Sequence, residues 1–214
     1  MKTERTRIKI CGLRDPEHAR IAAAAGADAI GLVFYGPSPR YVQAQEAAAV
    51  AAVLPPYVMA VGLFVNASEE EIRRTLQSVR LDMLQFQGDE PPDFCARFGI
   101  PYVRAVRMEE GTDLLEYATR FRGARALLLD AHEPGKPGGT GKTFDWNAIP
   151  ESLSIPIILS GGLTPDNVAS AVRAVQPWAV DVSSGVEAAR GAKDPRKIVE
   201  FIRSVRREDA ATSR

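Results

Sequence analysis

Residues 156–182 read PIILSGGLTPDNVASAVRAVQPWAVDV, and this stretch contains one complete unit of the pattern that decides the fold. A short apolar run, Pro156–Ser160, is followed by two glycines, and Thr164 with Pro165 then begins an amphipathic segment, Asp166–Val175. A second apolar run, Ala179–Val182, follows that segment. Near-continuous apolar runs of this length are typical of parallel strands that are covered on both faces, and proline in the first turn is typical of a helix start. The stretch therefore predicts a strand, a helix and a second parallel strand.

The same alternation extends in both directions along the chain. The apolar runs predicted to be strands are Ile8–Cys11, Ala29–Val33, Met59–Val65, Met83–Phe86, Tyr102–Val106, Ala126–Asp130, Pro156–Ser160 and Ala179–Val182. The segments predicted to be helices are Pro16–Ala25, Gln43–Val53, Ser68–Val79, Pro92–Phe98, Asp113–Phe121, Trp146–Leu153, Asp166–Val175 and Arg196–Val205. Capping signals support several of these starts, for example Asp15 before Pro16 and the capping box of Ser68 with Glu71. Residues 207–214 are predicted to be a frayed tail.

Eight such units in 214 residues leave about 27 residues for each, which suits a compact (β/α)8 TIM barrel. We therefore predict a single barrel domain over residues 1–214. The alternative α/β architecture is an open doubly wound sheet. No GxGxxG sequence follows the first strand, so that alternative has less support.

Composition excludes several classes of protein. The chain has 27 basic and 27 acidic residues, so its charge gives no reason to expect nucleic-acid or membrane partners. Its only cysteines, Cys11 and Cys95, exclude a disulfide scaffold and a cysteine-based zinc site. No apolar run approaches the roughly 20 residues that span a bilayer. The first residues lack the apolar stretch of a secretion signal, and we expect a cytoplasmic location.

Cys11 ends the first predicted strand, and in a barrel the carboxyl ends of the strands carry the functional residues. A free cysteine there is either a small apolar residue in the core or a thiolate base. A thiolate requires a pKa below the free value of about 8.5, and hence a nearby cation. Lys9 lies on the same face of the strand, because side chains alternate with a period of two. Cys95 falls inside a predicted helix, where packing explains it.

Two further strand ends carry charged residues. Arg40 lies in the loop Gly36–Tyr41, which two prolines stiffen, and its guanidinium suits a carboxylate or a phosphate. The alternative for Arg40 is a surface ion pair. Asp130 follows three leucines and is either a buried, paired carboxylate or a functional acid whose pKa burial raises.

Glycines and serines follow the last strands. Gly162 follows strand 7, and Ser183, Ser184 and Gly185 follow strand 8. Loops at these places bind phosphate in many barrels, so we predict a phosphate site there. The glycine-rich residues 134–143 do not match a Walker sequence and suit a loop whose backbone approaches a ligand. The two histidines, His18 and His132, cannot form a metal site by themselves, and we find no metal-ligand spacing.

Six motifs occur in order along the chain. They are Lys9–Leu13, Ser38–Val42, Leu84–Glu90, Gly138–Trp146, Leu159–Leu163 and Asp181–Glu187. Together they closely resemble the phosphoribosylanthranilate isomerase family, and the resemblance covers residues 8 to about 201. That family is a (β/α)8 barrel of tryptophan biosynthesis that needs no cofactor or metal. The resemblance implies an Amadori rearrangement of N-(5-phosphoribosyl)anthranilate to 1-(2-carboxyphenylamino)-1-deoxyribulose 5-phosphate.

The resemblance also implies roles for individual residues. Cys11 is implied as the general base and Asp130 as the general acid. The implied substrate-binding residues are Arg40 for the anthranilate carboxylate and Gly141, Gly162, Ser183, Ser184 and Gly185 for the phosphate. We add Asp181 to this set, since strands 8 and 1 are neighbours in a closed barrel and Asp181 is then placed to pair with Lys9 or to orient Cys11. Gln87 stands where the family often has histidine, so we assign no proton transfer to it.

Other interpretations remain open at this point. The histidine-pathway isomerase runs the same rearrangement, but we expect it to have aspartate where Cys11 stands. Indole-glycerol-phosphate synthase carries an amino-terminal extension that this chain lacks. A third alternative is a non-catalytic barrel that binds phosphosugars. The expected partner is a small phosphorylated molecule, with no nucleic acid or membrane, and the expected assembly is a monomer or homodimer.

Overall fold

A computed structural model describes residues 5–131, 144–150 and 152–212. Its main strands are β1 Arg7–Cys11, β2 Ala29–Val33, β3 Met59–Phe64, β4 Met83–Phe86, β5 Tyr102–Met108, β6 Ala126–Ala131, β7 Ile157–Leu159 and β8 Ala179–Val182. They form a closed barrel in sequence order. β1 pairs in parallel with both β2 and β8, so that Lys9 lies opposite Ala29 on one side and Asp181 on the other. The predicted (β/α)8 TIM barrel is confirmed, and the open doubly wound sheet is wrong.

Helices lie between most of the strands. They are α1 Pro16–Ala25, α2 Ala44–Ala52, α3 Glu69–Ser78, α4 Pro92–Cys95, α5 Leu114–Arg120, α6 Val168–Val175 and α7 Pro195–Thr212. The predicted caps of α1 and α3 are present: Asp15 accepts a hydrogen bond from the amide of Glu17, and Ser68 and Glu71 bond reciprocally. The start predicted at Thr164 and Pro165 is wrong, because α6 begins at Val168, after Asn167. None of the helices in the described part of the chain is long and apolar enough to cross a membrane.

The segment between β6 and β7 differs from the prediction. Instead of a helix over Trp146–Leu153, the described residues form a 3-10 turn at Trp146–Ala148. Pro150 explains the difference, because it has no amide hydrogen to donate and its ring obstructs the preceding turn of a helix.

The end of the chain also differs from the prediction. The frayed tail expected from Arg207 onward is wrong, since α7 continues to Thr212. Asp209 accepts hydrogen bonds from the amide and hydroxyl of Thr6, at 3.0 and 2.8 Å. Arg173 of α6 donates twice to Glu208, at 2.8 and 2.6 Å. These contacts hold the last turns of α7 against the rest of the barrel.

Side chains alternate between the inside of the barrel and the helical layer. In β6, Leu127 and Leu129 belong to the apolar cluster under α5, whereas Leu128 and Asp130 line a cavity at the mouth of the barrel. In β1, Ile8 and Ile10 pack in the outer core, as the same alternation requires. Polar residues of different strands therefore share the inward face at the carboxyl end.

Candidate active site

A cavity of about 390 Å³ lies at the carboxyl ends of the strands. Every strand or the loop that follows it contributes to the lining, which includes Cys11, Arg40, Leu63, Gln85, Arg107, Asp130, Gly162, Asp181, Ser183 and Ser184. A larger groove, about 960 Å³, lies on the outside of the barrel along α1 and α7 and shares none of these residues. The structure thus brings most of the predicted site residues into one cavity. Gly141 and His132 lie outside the described residues.

Cys11 is 4% exposed and lies where β1 ends. Gly31 of β2 makes room for it, because a Cβ at Gly31 would lie 2.7 Å from the Cys11 sulfur. Burial raises the pKa of the Cys11 thiol, and the nearby charges of Lys9 and Lys193 offset this only partly. The expectation of a lowered pKa is wrong, since the sequence shows the cation but not the depth of burial. The direction of this shift favours the protonated thiol over the thiolate.

The predicted contact between Lys9 and Asp181 is present. The Lys9 ammonium donates to the Asp181 carboxylate at 2.8 Å, and both side chains are buried. Ser160 donates to the second carboxylate oxygen at 3.3 Å. Burial works against the charge on Lys9, but Asp181 and Cys11 raise the pKa of this ammonium above its ordinary value. A buried ion pair thus lies beneath the thiol, with Lys9 two residues before Cys11 in β1.

Arg40 is held by a carboxylate that the sequence analysis did not place in the site. Its Nε and Nη2 atoms donate to Glu187 at 2.6 and 3.0 Å. Lys193 donates to the same carboxylate at 2.9 Å, and the backbone amide of Gly191 also donates to it, at 3.1 Å. Although burial opposes ionisation, these donors lower the pKa of Glu187 to about 2. The Arg40 side chain crosses Gly12, where a Cβ would lie 2.7 Å from its Cδ.

Glu187 and the Lys193 side chain that donates to it come from a small hairpin after β8. It consists of β9 Glu187–Ala189 and β10 Ala192–Lys193, which pair antiparallel. Lys193 also donates to the carbonyl and hydroxyl oxygens of Ser183, at 2.9 and 3.2 Å, and Ser183 donates to the carbonyl of Cys11 at 3.2 Å. The hairpin therefore joins the ends of β1, β2 and β8. Nothing in the spacing of residues 187–193 indicates this, although Glu187 belongs to the last of the six motifs.

The segments after β7 and β8 lie against each other. Gly162 has a φ of 66°, and Gly185 lies in a 3-10 turn, Ser184–Val186, so close to Leu163 that a Cβ would collide with its carbonyl oxygen. A side chain on Gly185 is thus excluded by packing. These small residues form a backbone ledge beside the cavity, at the place where the sequence analysis predicts a phosphate.

Asp130 ends the inward face of β6, across the ring from Cys11. One carboxylate oxygen accepts a hydrogen bond from Gln87 at 2.9 Å, and Gln87 accepts one from Gln85 at 2.8 Å. Arg107 of β5 is the neighbour of Asp130 in the strand register. Gln85 lies within a predicted strand whose apolar pattern hides an inward-facing polar residue. Arg107 lies one residue beyond the predicted end of strand 5, so the sequence singled out neither. Within the described ranges, no three His, Cys, Asp or Glu side chains are grouped so that they could hold a metal ion.

Comparison with known proteins agrees with this geometry. The family model described as N-(5'phosphoribosyl)anthranilate (PRA) isomerase matches residues 8–204. Proteins named N-(5'-phosphoribosyl)anthranilate isomerase are 54% identical in Pseudomonas fluorescens strain SBW25 and 56% identical in Thiobacillus denitrificans. These alignments cover 96% and 92% of this chain and 98% and 96% of the relatives.

Solved structures give the same result. The phosphoribosyl anthranilate isomerase of Thermotoga maritima superposes with a TM-score of 0.86 at 41% identity, over 94% of this chain and 98% of that one. A structure of the isomerase with reduced 1-(o-carboxyphenylamino)-1-deoxyribulose 5-phosphate superposes with a TM-score of 0.83 at 38% identity and the same coverage. A further structure shows monomers of the dimeric Thermotoga maritima protein, with a TM-score of 0.82, 37% identity and again the same coverage.

Proposed function

Because the chain belongs to the N-(5'-phosphoribosyl)anthranilate isomerase family, we propose roles in that reaction for the residues at its strand ends. The protein is an isomerase of tryptophan biosynthesis, and its substrate is a small phosphorylated molecule. It rearranges N-(5-phosphoribosyl)anthranilate to 1-(2-carboxyphenylamino)-1-deoxyribulose 5-phosphate. The observation that carries the assignment of roles is that Cys11 and Asp130, from β1 and β6, line one cavity. These strands are three places apart in the closed ring, so an acid and a base act from different sides of the sugar.

The proposed mechanism uses one acid and one base. Asp130 donates its proton to the ring oxygen of the ribose, and the bond between this oxygen and C1 breaks. The nitrogen lone pair turns the existing bond between C1 and the anthranilate nitrogen into the C=N bond of a Schiff base. The Cys11 thiolate then removes the proton from C2 of the sugar, which gives an enolamine, and this tautomerises to the ketone. No electrons leave the substrate. The positive charges of Lys9 and Lys193 favour the thiolate, which offsets part of the effect of burial.

The two anionic ends of the substrate have separate binding groups in this proposal. Arg40 binds the anthranilate carboxylate through guanidinium hydrogens that Glu187 does not use. The phosphate binds to backbone amides of the ledge formed by Gly162 and by Ser183, Ser184 and Gly185. Support comes from the position of both groups on the lining or edge of the cavity. Gly141, which the resemblance adds to the phosphate site, lies in the part of the chain that the structure does not describe.

A two-enzyme assay tests the activity directly. Anthranilate and phosphoribosyl pyrophosphate are converted by a phosphoribosyltransferase to the fluorescent intermediate, and the purified protein is then added. We expect the fluorescence to disappear faster than the intermediate decays by itself. Decay at the uncatalysed rate would instead favour a barrel that binds phosphosugars without reacting them.

Glu187→Gln is expected to weaken substrate binding more than turnover. The variant removes the charge that fixes Arg40, which contacts a part of the substrate that does not react, so we expect KM to rise about 5- to 30-fold with a smaller change in kcat. Leaving Lys193 buried beside a neutral amide is expected to lower the unfolding free energy by about 3–5 kcal/mol. Steady-state kinetics and thermal unfolding measure the two effects. Glu200→Gln on the exposed face of α7 is the control, and equal effects in both variants would contradict the role of Glu187.

The same carboxylate predicts a pH dependence of stability. Because its folded pKa, about 2, lies below the ordinary value for glutamate, Glu187 stabilises the folded state fully above the ordinary value. This contribution is lost as pH falls toward 2. Unfolding midpoints of the wild type and Glu187→Gln are therefore expected to converge on acidification from pH 5. A constant difference over that range would contradict the pairing.

Asp181→Asn is expected to lower the pKa of Cys11. The negative charge of Asp181 raises that pKa, and its removal leaves the positive charges of Lys9 and Lys193 to lower the pKa without this opposing charge. The ultraviolet absorbance of the thiolate is expected to appear at lower pH in the variant, and the inflection of kcat/KM that belongs to Cys11 is expected to move the same way. Asp166→Asn, at an exposed position after β7, is the control. If the thiol titrates at the same pH in both variants, Asp181 has no influence on Cys11.

Three expectations of the sequence analysis belong to this proposal as well. Residues 1–214 are proposed to be one domain, supported by the contact of Asp209 near the end of the chain with Thr6 near its start. The assembly is proposed to be a monomer or homodimer, which light scattering during gel filtration tests. The protein is proposed to act in the cytoplasm, which the distribution of a fluorescent fusion tests.

A further inference from the structure

Two glutamine side chains, Gln85 and Gln87, form a series of hydrogen bonds that ends at the proposed general acid, Asp130. The Nε2 atom of Gln85 donates to Oε1 of Gln87 at 2.8 Å, and the Nε2 atom of Gln87 donates to Oδ2 of Asp130 at 2.9 Å. Gln85 is 2% exposed and lies within β4, whereas Gln87 follows the end of that strand. This series of hydrogen bonds runs from the buried amide of Gln85 to the carboxyl group of Asp130, which lines the cavity.

The first hydrogen bond fixes the direction of the second. A glutamine side chain has one oxygen, which accepts, and one NH2 group, which donates. Because the oxygen of Gln87 accepts from Gln85, its NH2 group is turned to Asp130 and acts there as a donor. The Oδ2 atom of Asp130 is consequently an acceptor, and in the neutral acid the proton is carried by Oδ1.

The backbone around Gln87 is held from two sides. Its amide donates to the carbonyl of Phe64 at 2.9 Å, and the carbonyl of Gly88 accepts from Arg104 of β5 at 2.5 Å. Arg104 also donates to Glu90 at 2.9 Å, and both of these side chains are buried. Gly88 lies against Asn66, and a side chain at position 88 would collide with that residue. The Gln87 side chain therefore extends from a backbone segment that hydrogen bonds hold to β3 and β5.

We propose that Gln87 is a positioning residue for the general acid. It holds Asp130 through Oδ2 and so places the acidic proton on Oδ1 for delivery to the ring oxygen of the sugar. As a donor it also stabilises the carboxylate that remains after the proton has left, since a hydrogen bond to the charged form favours that form. This inference rests on the proposed role of Asp130 as the acid. It gives the glutamine a function without any proton transfer by its own side chain.

The test compares a variant that loses the donor with one that keeps it. Gln87→Leu removes the hydrogen bond at similar volume, and we expect kcat to fall about 10- to 100-fold, as for a misplaced catalytic group. KM is expected to stay within about two-fold, because Gln87 is not assigned to substrate binding. Gln87→His keeps a ring N–H donor and is expected to retain most of the activity. Gln77→Leu, at an exposed position of α3, is the matched control.

The pH profile provides a readout that a merely structural role does not move. Loss of the donor destabilises the Asp130 carboxylate, so the inflection of kcat that belongs to Asp130 is expected to move to higher pH in Gln87→Leu. Among the described residues, the titratable or charged groups that line the cavity with Asp130 are Cys11, Tyr35, Arg40, Arg107 and Asp181, and these variants alter none of them. Gln85→Met removes the bond that orients Gln87, and an intermediate shift is expected.

The possible outcomes separate this inference from the proposed function. If Asp130→Asn is inactive while Gln87→Leu keeps the wild-type kcat and the wild-type inflection, the positioning role is wrong and the acid assignment stands. If Asp130→Asn is fully active, the acid assignment itself fails. Should Gln87→Leu unfold, the nearly isosteric Gln87→Glu decides the matter. Its ionised side chain cannot donate, so the inflection is again expected at higher pH, and an unmoved inflection would overturn the inference.

Discussion

Replacing Cys11 by alanine is expected to lower kcat by about 10²- to 10⁴-fold, which is the range that general acid–base catalysis contributes. The thiol is the proposed acceptor for the proton on C2 of the sugar, and alanine offers no group to replace it. KM is expected to change little, because Cys11 binds neither of the two anionic ends of the substrate. Steady-state kinetics in the two-enzyme assay measure both quantities.

The control is the other buried cysteine. Cys95 lies in α4, outside the cavity, and burial raises its pKa to about 12. Cys95→Ala is expected to keep the wild-type kcat. The two variants also assign the thiolate absorbance, since the component that is lost in Cys11→Ala reports the pKa of Cys11 alone. Normal turnover by Cys11→Ala would show that another group accepts the proton.

Replacing Asp130 by asparagine is expected to lower kcat by a comparable factor, about 10²- to 10⁴-fold. Asparagine has the same shape and still provides an oxygen to accept from Gln87, so the cavity is preserved while the transferable proton is lost. Without that proton the ribose ring does not open at an appreciable rate, and the Schiff base does not form. The same assay, with substrate in excess of KM, measures the effect.

The result for Asp130 is interpreted against Asp93→Asn, a change at an exposed residue of α4. That variant is expected to be indistinguishable from the wild type. A binding measurement with the reduced product analogue adds a second check, because Asp130→Asn is expected to bind it with nearly normal affinity. Turnover near the wild-type rate would remove Asp130 from the mechanism.

Much of the architecture followed from the sequence because the barrel repeats one simple pattern. β8 has the predicted bounds, Ala179–Val182, and β2 and β4 also agree with the prediction. Closure of the ring was enough to predict the contact between Lys9 and Asp181. It makes β1 and β8 neighbours, and inward-facing residues at the same level of two neighbouring strands lie side by side. These successes depend on local patterns and on one topological rule.

The parts that were missed depend on contacts between distant segments. Glu187 and Lys193 meet Arg40 through a hairpin whose sequence has no strong apolar alternation, so its pairing is set by the tertiary contacts. The pKa of Cys11 depends on how deeply the thiol is buried and on a carboxylate that neutralises Lys9, and neither follows from residue spacing. The length of α7 depends on Asp209 and Glu208 finding partners near the start of the chain and on α6.

The ion pair between Lys9 and Asp181 also bears on when the enzyme becomes active during its synthesis. Its two members are 172 residues apart in the chain. While translation is in progress, Lys9 leaves the ribosome long before its counter-ion, and a partial barrel would hold an ammonium in an apolar interior with nothing to neutralise it. Such half-built forms are disfavoured because an unpaired buried charge is destabilising. Release of β8 and the residues that follow it then both closes the ring of strands and completes the surroundings of the thiol. Nascent chains truncated before Asp181 are therefore expected to have no isomerase activity.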